Sequence, residues 1–182
     1  MSTQAATAGA VHPRQYHGLL DWLTTTDHKK IGILYIAFAL INGWLGGSLA
    51  GMIRLNLYNP NWHIVSPELY NQLMTMHATI MIFLTLMAAF AGFGNYLVPL
   101  MIGARDMAFP KLNAFSFWLM IPAALMLYGS FFVVGGAAAG GWWSYPPLST
   151  AQFTAGHGED LWILAVILLG IASIMGAINF LV

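Results

Sequence analysis

Charged residues are absent from four long windows of the chain, and polar residues gather between them. The windows run approximately over 31–53, 73–102, 113–134 and 161–182. At 1.5 Å per residue each is long enough to cross a hydrocarbon layer about 30 Å thick. The pattern predicts an all-α, polytopic transmembrane helical bundle with four spans. Residues 1–30 form a cytoplasmic N-terminal segment and residues 31–182 hold the helices. Ser66-Pro67, upstream of the second window, reads as an N-cap followed by proline at the first helical position, so that helix is expected to start outside the membrane core. Pro99 and Gly103 mark its far end.

Basic residues set the orientation, because short cytoplasmic loops retain Lys and Arg. Arg14, Lys29 and Lys30 precede the first window, and Arg105 and Lys111 lie between the second and third. Residues 56–72 and 135–160 hold no Lys or Arg. The N-terminus and the second connection are therefore placed inside, and the other two connections outside. The 135–147 stretch mixes glycine turns with Trp142, Trp143 and Tyr145, amphipathic rings that favour a membrane interface. Residues 1–30 lack the short apolar core of a cleaved signal, so the first helix is expected to be retained. No internal repeat is evident. The fourth window runs to the last residue with no basic loop beyond it, and the chain is expected to be a piece of a longer polypeptide.

Composition narrows the class. Hydrophobic residues make up 59% of the chain and charged residues 7%, with mean hydropathy +0.72, a balance that polar surface could not cover in water. The lipid bilayer is the natural solvent. Net charge is zero, so no basic surface exists to attract nucleic acid. There is no cysteine; any metal must be held by His, Met or oxygen.

His77 is the one histidine inside a predicted span, where its ring must find a partner. If the helix starts near Pro67, His77 lies roughly 15 Å along it, in the outer half of the membrane. Met74, Ala78 and Met81 at helical spacing leave a face that could admit a flat macrocycle, and imidazole is a common haem ligand. The plain alternative is a histidine bonded to a neighbouring helix. Arg54 closes the first window; it can snorkel to the interface or hold a polar substituent of a buried cofactor. Asp106 stands among apolar residues in the inner connection, flanked by Asn95 and Asn113, as at the mouth of a proton path. An ion pair with Arg105 or Lys111, plus capping by Asn113, would account for the same residues. Ser116, Ser173 and Asn179 either extend a water file or bond across helices. His12, His17, His28, His63 and His157 fall in segments expected to be aqueous, where a histidine needs no function.

Longer strings then become recognisable: Thr26-Asp27-His28-Lys29-Lys30, Met76-His77-Ala78, Gly92-Phe93-Gly94-Asn95-Tyr96, Ile102-Gly103-Ala104-Arg105-Asp106, Tyr145-Pro146-Pro147 and Gly176-Ala177-Ile178-Asn179-Phe180. In order, from Asp27 to the end, they resemble the first four of twelve spans of subunit I of the haem-copper oxidases. The resemblance implies that His77 is an axial ligand of a low-spin haem, with haem A the expected type, and that Arg54 bonds its formyl group. It implies Asp106 at the mouth of a proton channel, Asn95 and Asn113 just inside, Ser116 and Ser173 along its wall, and Trp142 and Tyr145 near the haem propionates. Iron is the metal that the resemblance implies for this segment. A high-spin haem and copper, bound by later helices, complete the oxygen-reducing centre. The implied function is a proton-pumping terminal oxidase taking electrons from cytochrome c through subunit II, with subunit III as a further partner, in a bacterial plasma membrane. This segment alone is not expected to be active.

Ala172 replaces one of a pair of serines, Ala114 the second of two asparagines, and Asn56 a glutamate that helps to bind calcium or sodium in many members. A ubiquinol oxidase on the same scaffold would use polar residues where Leu45, Leu49 and Leu69 stand, although Gln72 is retained, so cytochrome c is the expected donor. A non-catalytic haem-binding electron carrier, or a transporter-like bundle in which His77 and Asp106 are structural, is the competing class.

Overall fold

The structure, a computed structural model, describes residues 18–59, 61 and 63–182. Arg14, His12 and His17 lie outside the described residues. All regular structure among the described residues is helical: a short α1 (Leu19–Leu23), then α2 (His28–Tyr58), α3 (Pro67–Met101), α4 (Pro110–Phe132) and α5 (Gly158–Leu181). The last four are each long and apolar enough to span a membrane, as the charge-free windows predict. Helices α2 and α3 begin ahead of their windows because the capping residue lies in the polar flank. The Asp27 carboxylate accepts the Lys29 and Lys30 amides at 2.8 and 3.0 Å and starts α2. Ser66 accepts the Leu69 amide at 3.2 Å, with Pro67 next in line, and starts α3 where expected.

The core is made of one stripe from each span at three- and four-residue spacing. Ile31, Tyr35 and Ala39 of α2 meet Met76, Ile80, Leu84 and Ala88 of α3. Phe117, Met120, Ala124 and Leu127 of α4, with Trp162, Ala165, Leu169 and Ala172 of α5, close the cluster. Opposite faces carry exposed Leu40, Phe90, Leu125 and Ile167, a surface suited to lipid or further helices.

The α2–α3 seam is close because small residues line it. A Cβ on Gly46 would lie 2.8 Å from Ile80 Cγ2 and 3.0 Å from Met81 Sδ, so only glycine lets α3 approach here. Directly after His77, α3 loosens into a π-helical segment, Ile80–Met87, a deviation that recurs at functional sites. Pro99 sits inside α3, two residues before its end, rather than stopping it. The end of the bundle away from Asp27, called outer after the orientation expected from the basic residues, is closed backbone against backbone. Cβ atoms on Gly135, Gly156 and Gly158 would fall within 2 Å of the carbonyl oxygens of Ala155, Val134 and Gly136.

Candidate functional site

His77 is half-buried, and its Nδ1 bonds the Gly46 carbonyl of α2 at 2.9 Å. The bond across helices is thus real, but it occupies one ring nitrogen. With Nδ1 donating its proton, Nε2 is the unprotonated atom, the form in which imidazole ligates a metal. Arg54 follows Gly46 by eight positions, about 12 Å of helical rise, and is exposed at the outer end of α2. Around it Asn56 Oδ1 accepts the Ile64 and Val65 amides at 3.0 and 3.3 Å, so this amide clasps the loop instead of offering its oxygen to a cation.

The inner half is organised by a second histidine. His28 was expected in water; it is 2% exposed, and its Nδ1 bonds the Asn95 carbonyl at 2.8 Å. That carbonyl is available because Pro99, four residues on, has no N–H to bond it. The two histidines thus mark the two ends of one seam, each bonded to a backbone carbonyl of the opposite helix.

Beside His28 the polar groups go inward. Asn95 Nδ2 donates to the Ala91 carbonyl at 2.8 Å, while its Oδ1 is buried without a protein partner. Asn113, fully buried, leaves both Oδ1 and Nδ2 without one. Helix α4 begins at Pro110, so Asn113 is already a full turn inside and cannot cap it. Ser116 donates to the Asn113 carbonyl at 2.7 Å and shares a 2.9 Å hydrogen bond with the Tyr35 hydroxyl. Tyr35, Asn95 and Ser173 are polar members of the wall of a cavity of about 280 Å³, otherwise apolar, that also touches Met120, Leu169 and Ala172. Sequence reasoning passed over Tyr35 because an aromatic in an apolar run reads as packing. Its spacing of seven from His28, on the face of Ile31, was the available signal.

Asp106 is half-buried, its Oδ1 accepting the Met107 amide at 2.8 Å. Neither Arg105 nor Lys111 pairs with it; the ion pairs among the described residues are Asp21 with Lys30 and His157 with Asp160. Asn179 does not extend the inner polar file. Its Oδ1 accepts the Phe109 amide at 2.7 Å and ties α5 to the inner connection. Outside, the Trp142 ring stacks on Phe83 at 4.9 Å and meets Trp162 edge-on at 5.8 Å. Tyr145 stacks on Trp143 at the surface.

Four apolar spans enclosing a polar inner ladder, with an outward histidine whose second nitrogen is available, define a multi-pass helical membrane protein with a metal-competent imidazole. The chain belongs to the family described as cytochrome c and quinol oxidase polypeptide I, whose profile matches residues 30–182. It is 50% identical over 99% of its length to cytochrome c oxidase subunit 1 of Synechocystis sp., covering 32% of that protein. It is 51% identical over 94% of its length to the subunit of Thermostichus vulcanus, covering 30% of it, and 46% identical over 90% to that of Corynebacterium efficiens, covering 29%. The chain therefore spans about a third of the curated relatives it matches.

Proposed function

We propose that this chain is the opening part of the catalytic subunit of a terminal oxidase that moves electrons from cytochrome c, through a low-spin haem, to a haem-copper centre where oxygen becomes water. The carrying observation is the His77–Gly46 bond, which holds the ring through Nδ1 and so supports Nε2 as the nitrogen that would ligate a metal. The residues present fit a haem. Nε2 of His77 would hold the iron, the Arg54 fork a polar substituent, and Trp142 with Tyr145 the propionate side. When bound, the haem relays single electrons, and its type would be haem A.

Protons reach the centre from the inner face. Moving one charge across the membrane requires about 2.3 kcal/mol per 100 mV, so its route runs through defined polar groups. Asp106 collects the proton, unpaired by any cation among the described residues. Asn95 and Asn113 present three buried polar atoms without protein partners, the kind of groups that internal water bonds. Ser116, Tyr35 and Ser173 continue the wall toward the cavity. The N-terminus and this mouth face the cytoplasm of a bacterium. The high-spin haem and copper belong to later helices, and subunits II and III are the partners.

Cytochrome c is favoured over a quinol as donor. Leu49 and Leu69 pack with Ile53, Val65 and Leu73 in a small apolar cluster, and Gln72 is engaged with the Gly135 carbonyl at 3.2 Å. In the full oxidase, His77→Ala abolishes the low-spin haem bands; bands that persist would move ligation to another residue. Asp106→Asn slows proton uptake by about tenfold or more with the haem spectrum intact, and unchanged uptake would discard Asp106 as the mouth.

A further inference from the structure

Glu159, in the first turn of α5, is 6% exposed. One carboxyl oxygen, Oε1, accepts the Ser144 hydroxyl; the other is buried without a partner. The Ser144 bond is thus the one side-chain tie this carboxyl makes among the described residues. It is made from an uncomfortable backbone. Ser144 has φ 45°, the one positive φ outside glycine among the described residues, a conformation that persists only where surrounding contacts enforce it.

What the tie holds is a turn wedged between two helices. The Gly141 amide donates to Thr75 Oγ1 at 2.9 Å, Trp142 stacks on Phe83, and Trp162 Nε1 donates to Thr79 Oγ1 at 2.9 Å. Thr75, Thr79 and Phe83 form one stripe of α3, while Glu159 and Trp162 are neighbours on one face of α5. The Trp142 indole lies between these stripes and touches both Phe83 and Trp162. Gly141 is anchored to α3; Ser144, three residues on, is anchored to α5. Without the second anchor the turn is tethered on one side of Trp142 only.

We infer that Glu159 is a positioning residue whose carboxyl, by accepting the Ser144 hydroxyl, latches the 141–145 turn to α5 and sets where the Trp142 indole lies. The latch stands on this geometry alone. Its consequence for a haem rests on the proposed function, through the placement of Trp142 beside the propionates. An amide oxygen serves the latch as well as a carboxylate oxygen, whereas a methyl group does not.

The test uses the full oxidase with Glu159→Ala, Glu159→Gln, Ser144→Ala and the Glu159→Ala/Ser144→Ala pair. Hydrogen–deuterium exchange over 140–146 is read beside the midpoint potential of the low-spin haem. Glu159→Ala and Ser144→Ala should each speed exchange about tenfold, the pair no further, and Glu159→Gln should stay near the parent. Unchanged exchange in both single variants, or fully multiplicative effects in the pair, overturns the latch. If Glu159→Ala does not assemble, fast exchange in Ser144→Ala with parental exchange in Glu159→Gln supports the latch, and slow exchange in Ser144→Ala overturns it. A shifted midpoint potential in the loosened variants supports Trp142 beside the haem. A loosened turn with an unmoved potential leaves the latch standing and removes Trp142 from the haem site.

Discussion

The outer and inner halves of the bundle differ in how they bury polar side chains: of the four buried polar side-chain atoms left without a protein partner among the described residues, three lie in the inner half, on Asn95 and Asn113, and one in the outer half, Glu159 Oε2. Outside, Thr75 and Thr79 each bond a carbonyl one turn back and also accept a donor from elsewhere, Gly141 and Trp162 respectively. Gln72 and the His77 ring are likewise committed to backbone carbonyls. Inside, Asn95 and Asn113 are as deeply buried, yet three of their four polar side-chain atoms find no protein partner. A satisfied polar group in an apolar interior stabilises the arrangement that satisfies it. An unsatisfied one costs free energy and is retained where it has other work. On the proposed function, the outer half is a scaffold for one imidazole and the inner half a lining along which protons pass.

The largest expected effect breaks the scaffold. A Cβ at residue 158 would lie 1.8 Å from the Gly136 oxygen, too close for relaxation of a side chain to relieve, because the obstacle is backbone. Gly158→Ala should cost about 4 kcal/mol or more and greatly reduce assembled oxidase in membranes. Normal assembly would mean the two outer turns are not locked together. Gly170→Ala is the control, since a Cβ there meets nothing within 4 Å.

The same polar-to-apolar exchange made in each half sharpens the contrast. Thr79→Val strands the buried Trp162 N–H and should destabilise by about 1–2 kcal/mol, read as a lower thermal midpoint in detergent. Asn113→Leu removes two atoms that bond nothing in the protein, so stability should hold or rise while proton uptake falls about tenfold or more. Equal stability losses at both positions would erase the distinction between the halves.

Much of this was legible in the chain. Spans follow from charge-free windows, and Ser66-Pro67 locates the start of α3 because capping is local chemistry. His77 stands out as the one histidine inside a charge-free window, and Asp106 as the one carboxylate of the connection between the second and third windows. What escaped depends on residues far apart in sequence. His28 sits beside Lys29 and Lys30 and looks solvated; it is buried because Pro99 frees a carbonyl 67 positions away. Glu159 reads as a loop charge next to Asp160, yet the glycine-to-glycine closure of the outer turns buries it. In both cases local polarity pointed to water, and tertiary packing overrode it.

The smallest expected effect concerns Tyr35, where the two halves meet in one side chain. Its ring belongs to the apolar core, edge-on to Phe117 at 5.1 Å, while its hydroxyl meets Ser116 and the cavity. Tyr35→Phe keeps the ring and deletes the hydroxyl. Ser116 still donates to the Asn113 carbonyl, so no donor is stranded and the stability loss should be about 1 kcal/mol or less. If Tyr35 belongs to the inner lining, proton uptake should slow several-fold at that small cost, with the low-spin haem bands unchanged. Parental uptake with the same small loss of stability would return Tyr35 to the scaffold and leave Asn95, Asn113 and Ser116 as the lining.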